Sequence, residues 1–453
     1  MANYKKKKTT KNIKSDNTIK KRTSKKFNRL LGMKDISPSD HYYYSYVLKK
    51  AHELASSYSF LPIKTPIIEN LNLYKKSSRR GNEKDFYSIE AEKTESAVLR
   101  PELTQGIIRS YFENKLDELE KPVNLYSIGS IFRREKLQSG HYRESSQFNL
   151  EILNEDKAMA EALLISLTNN FFSELGIEAQ VQINSLGNLE SRKEHNSKLL
   201  KFCKERGKRS KLCNYCRRSL GKNILALFDC KEEDCINIMA EAPQIADFLD
   251  EESQNHFKKV LEYLDDLNIN YNFNPYLVRG LSYYNDTVFE FWPVNEEGEA
   301  QGKLALAGGG RYDNLTEEIS GKIIKSAGIA IGLERVVNKI KDKEIDNTLE
   351  NDLIFLAQLG DQAKIKSMLL FEELRKAGYL VRQSFISDSI KTQVEEADKM
   401  QARVTLILGK KEVMDETIIM RDMESGIQEI VAYKKIKDKL SKKINRKDGV
   451  LYG

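Results

Sequence analysis

The chain predicts an α+β body built on a mostly antiparallel sheet flanked by helices and interrupted by a helical insertion, followed by a smaller α/β domain. Three stretches of its 453 residues carry that expectation. SIGSIFRREKLQSGHYRESSQFNLEIL (residues 127–153) is apolar toward both ends and charged in between, which spells two strands joined by a polar loop. Residues 188–272 turn helical, charged and cysteine-bearing. From residue 351 onward, apolar runs alternate with helix-period segments, the pattern of a parallel sheet in α/β units.

Taken in order, residues 1–26 are a basic arm with ten lysines, Arg22 and the single acid Asp16. They carry a charge of +10, so the remainder sums to −3 in a chain of net charge +7. Such a run is expected to be disordered and solvated; a flexible arm of this kind also attracts RNA phosphates in a salt-sensitive, sequence-blind way. The body starts at 27 and its first part runs to 187. GMKDISP introduces a helix from about Ser39 to Tyr58, where Tyr43, Val47, Ala51, Leu54 and Tyr58 recur at helical spacing. LPIKTPIIE then forms an edge-like strand, as its Pro66 requires. A strand is expected in KDFYSIE, and SAVLRPELTQGIIRSYF runs from a strand through Leu99 into a helix starting near Glu102. In the hairpin, one strand ends at Phe132, the loop passes Gly140 and Arg143, and the second strand lies around Phe148 to Leu153. Arg133 and Glu135 thereby come beside Gln147 and Glu151. A helix over 156–175 and a strand over 181–184 close this part.

The insertion is expected over 188–272, and the body resumes over 273–342 with LVRGLSYYNDTVFEF, AGGGRYDNL and SAGIAIGLERVV. A charged linker, 343–350, leads to the α/β domain, 351–437, with strands in NDLIFLAQL, YLVRQSF and RVTLILG and helices over 361–376 and 389–400. Residues 438–453 are read as a tail. Composition is ordinary for a soluble chain, 40% hydrophobic and 31% charged. With no run of eighteen apolar residues and no apolar secretory h-region, neither a membrane span nor export is expected, and the chain is placed in the cytoplasm.

Four of the five cysteines cluster: Cys213, Cys216, Cys230 and Cys235, with Cys203 apart. Their C-x2-C and C-x4-C spacing fits a tetrahedral structural zinc site, and equally four reduced cysteines without metal, disulfides being disfavoured in a reducing cytosol. Neither reading gives them a place in the chemistry, and the candidate site includes no metal ligand.

FRRE followed by QFNLE resembles the motif 2 hairpin of class II aminoacyl-tRNA synthetases, VRGLSYY resembles the histidine-specific signature of the histidyl-tRNA synthetase family, and SAGIAIGLERVV is similar to class II motif 3. The helix and strand before them resemble motif 1, which builds the dimer interface in that family. The final domain, with Lys391, Gln393, Ala397, Gly409, Glu412, Gly426 and Gln428, resembles a class IIa anticodon-binding domain. The resemblance implies a class II synthetase catalytic domain that activates L-histidine with ATP and Mg2+ and passes the histidyl group to tRNA(His), working as a homodimer.

By motif position, the resemblance makes Arg133, Arg279 and Arg335 the catalytic cations. Arg133 would hold the α-phosphate and the substrate carboxylate, Arg279 the α-phosphate from the family-specific position, and Arg335 the bent triphosphate. Planar, permanently charged guanidinium groups suit that work, since nucleotidyl transfer is accelerated mainly by alignment and by cationic stabilisation of phosphate oxygens. Glu135 would lie at the adenine edge, completing an ATP-binding set with the three arginines. Glu102, Leu103 and Thr104 would surround the α-amino group and Gln147 the carboxylate, while Glu151 and Tyr284 would face the imidazole, beside Tyr283 and Tyr312. Read without the family, the three tyrosines are equally ordinary core aromatics. Leu103, Gln105, Ser282 and Asp286 depart from the family's usual residues, as do Glu144, Ser145, Ser146 and the NILA stretch at 223–226. The alternative reading is a synthetase-like, histidine-sensing regulatory subunit without ligase activity, against which the C-terminal domain and Arg279 both argue. A basic RNA-binding or zinc-binding protein without catalysis would account for the arm and the cysteines but not for the ordered arginines.

Overall fold

A computed structural model describes residues 27–75, 86–90, 96–134, 142–205, 207–221, 223–295, 298, 300–302, 304–341, 343, 352–384 and 388–444. The basic arm, Glu135, nearly all of the linker and the end of the expected tail lie outside these residues. The chain divides into two compact units at residues 342 and 343. No helix among the described residues is long and apolar enough to cross a membrane.

The first unit opens with α1 (Pro38–Ser57). Ser37 caps it by accepting from the Asp40 N–H at 3.3 Å, and Pro38 stands at the first helical position, where its missing N–H costs nothing. The expected single strand after it is instead two short ones, β1 (Leu61–Pro62) and β2 (Ile68–Asn70), which join different sheets. Pro62 and Pro66 remove two ladder donors, so one continuous strand is not available. Two more strands, β3 (Tyr87–Glu90) and β4 (Ser96–Leu99), complete a small antiparallel sheet ordered β2-β4-β3, and β4 leads into α2 (Thr104–Glu113). The hairpin follows as β5 (Val123–Phe132) and β6 (Glu144–Leu153). Its second strand starts earlier than Phe148 because Glu144 to Gln147 pair with Phe132 to Gly129.

Next come α3 (Met159–Glu174) and β7 (Ala179–Ser185), then the helical segment with α4 (Leu189–Lys204), α5 (Lys208–Lys211), α6 (Asn214–Ser219), α7 (Glu233–Met239) and α8 (Glu251–Asp266). After it, β8 (Tyr271–Phe273), β9 (Asn285–Pro293), β10 (Ala307–Arg311), α9 (Asp313–Ser320), β11 (Ser326–Gly332) and α10 (Leu333–Ile340) finish the unit. The end of the segment expected as an insertion belongs to the body: β8 pairs in parallel with β7, and His256 on α8 lies 2.7 Å from the buried Glu161 of α3. Glu161 also receives two hydrogen bonds from the buried Arg311, at 2.8 and 2.7 Å, so one polar cluster ties α3, α8 and β10 together.

The large sheet runs β1-β5-β6-β11-β10-β9-β7-β8, antiparallel except at its two outer pairs. Strand alternation gives it two unlike faces. Phe148 on β6 and Phe291 on β9 meet Phe171 and Phe172 of α3 in edge-on contacts at 5.6 and 5.4 Å, a packed aromatic layer on one side. Gln147, Asn149 and Glu151 alternate with Phe148 and Leu150 and so point to the other side, where α2 covers the sheet. That second face carries the candidate site.

The second unit contains β12 (Ile354–Gln358), α11 (Asp361–Lys376), β13 (Val381–Gln383), α12 (Ile390–Lys399), β14 (Val404–Leu408), β15 (Thr417–Asp422) and β16 (Gln428–Ala432). Its sheet is ordered β13-β12-β14-β15-β16; the first three strands are parallel, as expected, and the last two antiparallel. Successive β12 residues face opposite ways: Ile354 and Leu356 pack with Leu370 and Leu374 of α11, Phe355 and Ala357 with Ala397 of α12. Gln393 on α12 is buried and grips the Gln358 backbone, accepting from its N–H and donating to its carbonyl, each at 2.9 Å. Leu440 and Ile444 are buried in the same core, so the unit continues past the boundary expected at 437.

Candidate active site

The site begins at the N-terminus of α2. Leu103 occupies the N-cap position and has no side-chain oxygen, so the two residues that follow leave N–H groups unserved by a usual cap. Glu102 takes over: its buried carboxylate accepts from the N–H groups of Thr104 and Gln105, both at 2.8 Å. Burial raises the Glu102 pKa, with those N–H groups and the nearby Arg133 charge opposing it only in part. The Leu103 side chain, placed among the amino-group contacts on sequence grounds, is fully buried in an apolar cluster with Ile107, Tyr283 and Tyr284. It packs as core, in the same cluster as Tyr283, Tyr284 and Tyr312.

From Thr104 the network passes to β6. The Thr104 hydroxyl donates to Glu151 Oε1 at 2.7 Å, Tyr312 donates to Oε2 at 2.6 Å, and Asn149 Nδ2 adds a longer bond of 3.3 Å. Burial drives the Glu151 carboxyl up to about 8, against the pull of these three donors. Its cross-strand neighbour on β11 is Gly328, where a Cβ would stand in the space of the carboxylate. Burial likewise raises the pKa values of Tyr283, Tyr284 and Tyr312, which keeps all three as O–H donors. Their rings meet at 4.7 Å for Tyr283 and Tyr284 and at 6.0 Å for Tyr283 and Tyr312.

Arg279 lies across β9 and β10. Its side chain is only 17% exposed; it pairs with Glu290 and stacks over the Tyr284 ring at 5.5 Å. Burial, the largest single influence, weakens its hold on the proton, but Glu290 together with Tyr284 and Tyr283 more than offsets it and raises its pKa. Gly308, opposite Glu290 in the ladder, makes the room: a Cβ there would overlap the guanidinium. Arg133, one residue past β5, donates through Nε to the Pro101 carbonyl at 2.7 Å, which sets it beside Glu102. Arg335 on α10 is held to the carbonyl of Ala305, just before β10. Glu334 beside it accepts from the Ser146 N–H at 2.8 Å, so α10 is fastened to the hairpin strand.

Glu102, Thr104, Arg133, Glu151, Arg279 and the three tyrosines thus form one connected group. Gln147 faces Gly332 at the start of α10, which places it on the same strip of sheet, and Arg335 reaches that strip from its β10 end. Three buried polar atoms on it, Gln147 Oε1, Asn149 Oδ1 and Arg279 Nε, have no hydrogen-bond partner among the described residues. Buried polar groups are nearly always satisfied, so these three atoms are candidates to meet a ligand or water. Sequence reading missed Asn149, Glu290 and Arg192. Asn149 was visible as the middle of a polar stripe alternating with apolar residues, and Glu290 as a lone charge inside an apolar strand. Arg192 gave no local signal: it crosses from α4 to the backbone carbonyl of Tyr284.

The raised Glu151 pKa has a measurable consequence. Folding then favours the protonated carboxyl, so this contribution to the ligand-free protein is full below the ordinary value of 4.5 and is lost as pH rises through about 8. Over that window the thermal midpoint of the wild type should fall more steeply than that of Glu151→Gln. Parallel curves would show that the carboxyl is ionised throughout.

An antiparallel sheet presenting arginines and a tight carboxylate pocket, in a chain that also carries a separate mixed-sheet domain, is the organisation of a class II aminoacyl-tRNA synthetase. Residues 32–336 match the family model for histidyl-tRNA synthetase and residues 354–443 that for the anticodon binding domain. The chain is 33% identical to the histidine–tRNA ligase of Thermosipho melanesiensis over 407 residues, covering 89% of this chain and 95% of the relative. It is 34% identical to that of Geobacillus sp. over 421 residues, 91% of this chain and 98% of the relative. Among solved structures, apo histidyl-tRNA synthetase of S. aureus superposes with a TM-score of 0.76 at 29% identity, covering 92% of this chain and all of that one. The chain belongs to the histidyl-tRNA synthetase family.

Proposed function

We propose that the chain is a histidine–tRNA ligase whose sheet face activates L-histidine with ATP and then loads tRNA(His). The observation that carries the amino-acid half is the Glu151 carboxylate, buried, oriented by Thr104 and Tyr312, and bordered by aromatic rings. A buried acceptor of this kind rewards a ligand that brings an N–H, and penalises one that does not far more than an apolar pocket could. Glu102 and Thr104 receive the α-amino group, and Gln147 the carboxylate.

In the first step a histidine carboxylate oxygen attacks the α-phosphorus of ATP, which enters as its magnesium complex, and pyrophosphate leaves. Arg133 and Arg279 neutralise the α-phosphate and Arg335 the outgoing phosphates; Glu135 meets the adenine. In the second step the terminal hydroxyl of the tRNA attacks the histidyl carbonyl and AMP leaves. Alignment and fixed positive charge do most of this work, so no covalent catalysis by protein is needed. The second unit reads the tRNA anticodon. A second copy of the chain covers the exposed Leu61, Ile67 and Ile68 around β1 and β2, giving a homodimer, and the enzyme acts in the cytoplasm.

The regulatory-subunit alternative and the ligase part company on tRNA. Incubated with tRNA(His), ATP and labelled histidine, the full chain should form acid-precipitable histidyl-tRNA, and a chain ending at residue 350 should retain pyrophosphate exchange while losing most charging. Exchange or histidine binding without charging by the full chain would favour the regulatory reading.

A further inference from the structure

We propose that Cys213, Cys216, Cys230 and Cys235 form a tetrathiolate zinc(II) site that staples the helical segment and thereby holds the loop bearing Arg279, Tyr283 and Tyr284. The four Sγ atoms all lie within 4.8 Å of one another, and those of Cys213 and Cys230 are 3.8 Å apart. Around a tetrahedral zinc with bonds of about 2.3 Å, sulfurs stand about 3.8 Å from each other. A disulfide needs about 2.05 Å, and all four cysteines are free.

The backbone is already shaped for thiolates. Cys213 Sγ accepts from the Cys216 N–H at 3.4 Å, and Cys235 Sγ from the Cys213 N–H at 3.2 Å. Such donors orient metal-bound sulfurs and spread their charge. The surroundings also need a staple. The helices here, α5, α6 and α7, have four, six and seven residues, too few to hold by themselves, so they depend on the apolar cluster around Leu199, Leu212 and Leu227 and on a link between the cysteines. Cys203 is buried in the same apolar cluster but stands outside the four-sulfur group, where it packs as a small hydrophobe. Four sulfurs in a tetrahedral arrangement select zinc or iron, and a site remote from any redox chemistry is suited by zinc.

The staple reaches the pocket through few residues. Between Cys216 and Cys230, Leu225 and Phe228 pack both on the cysteine-bearing cluster and on the cluster containing Tyr283 and Tyr284. Phe228 stacks on Tyr276 at 5.6 Å, and the Tyr276 hydroxyl donates 2.8 Å to the Ala240 carbonyl just past α7. Tyr276 begins the loop that carries Arg279, and Arg192 of α4 holds the same loop at the Tyr284 carbonyl.

The positioning half of this rests on the ligase reading; the metal half does not, and elemental analysis reads it without any assay of activity. Full-length protein purified without chelator should contain about one zinc per chain by mass spectrometry. An organomercurial thiol reagent should release that zinc stoichiometrically to a metallochromic dye. Cys203→Ser should keep the metal, and Cys213→Ser with Cys230→Ser should lose it. Partial zinc removal from the wild type should raise KM for histidine several-fold more than KM for ATP. Metal-free protein whose cysteines all react at once and whose thermal midpoint ignores added zinc would overturn the site, stoichiometric iron would overturn the choice of metal, and an unmoved histidine KM would overturn the link to the loop.

Discussion

Arg279→Ala should lower histidine-dependent ATP–pyrophosphate exchange on the order of 10^3-fold, the scale seen when a fixed cation or donor is removed from a transferring phosphoryl group. The effect should fall on turnover more than on either KM, because charge on the α-phosphate oxygens peaks in the transition state. Arg279 is also half of a largely buried pair with Glu290, and leaving one partner of such a pair alone destabilises by about 3–5 kcal/mol. A loss of activity in the single variant therefore needs a companion. Arg279→Met with Glu290→Gln removes both charges together and should recover most of the thermal midpoint while remaining inactive. Recovery of exchange in the double variant would mean that Arg279 serves the fold rather than the phosphate.

Glu151→Ala should raise KM for histidine on the order of 10^2-fold and change KM for ATP little, as measured in the same exchange assay. The asymmetry follows from the network. Thr104 and Tyr312 spend their hydroxyl protons on Glu151, so without it neither is oriented and an imidazole N–H loses its acceptor in a site closed to water. In the proposed reaction ATP is met by Arg133, Arg279 and Arg335, and the bonds to Glu151 come from Thr104, Tyr312 and Asn149 instead. Equal losses for the two substrates would place Glu151 in general architecture rather than in the amino-acid pocket.

Much of this was legible in the residues because it is local. The helix of residues 361–376 has the bounds its periodicity predicts, and the polar stripe of Gln147 and Glu151 shows in strand alternation. What was not legible depends on register between strands distant in sequence. That Gly308 clears space for Arg279 and Gly328 for Glu151 follows only once β9, β10, β11 and β6 are aligned. Leu103 was placed around the α-amino group because a sequence does not say which way a side chain turns at a helix start; here it turns into the core. The broken strand around Pro62 and Pro66 is a case where the signal was present, since two prolines so close cannot both sit inside one ladder. β8, β15 and β16 escaped because β8 is only three residues, mostly exposed, and β15 and β16 mix apolar with polar residues, so that only tertiary packing decides that they pair.

The identity of the pocket is tested most directly by ATP–pyrophosphate exchange run separately with each of the twenty amino acids. Histidine alone should support exchange above background; exchange with a different amino acid, or none with histidine, would contradict a Glu151-centred imidazole site flanked by Arg279.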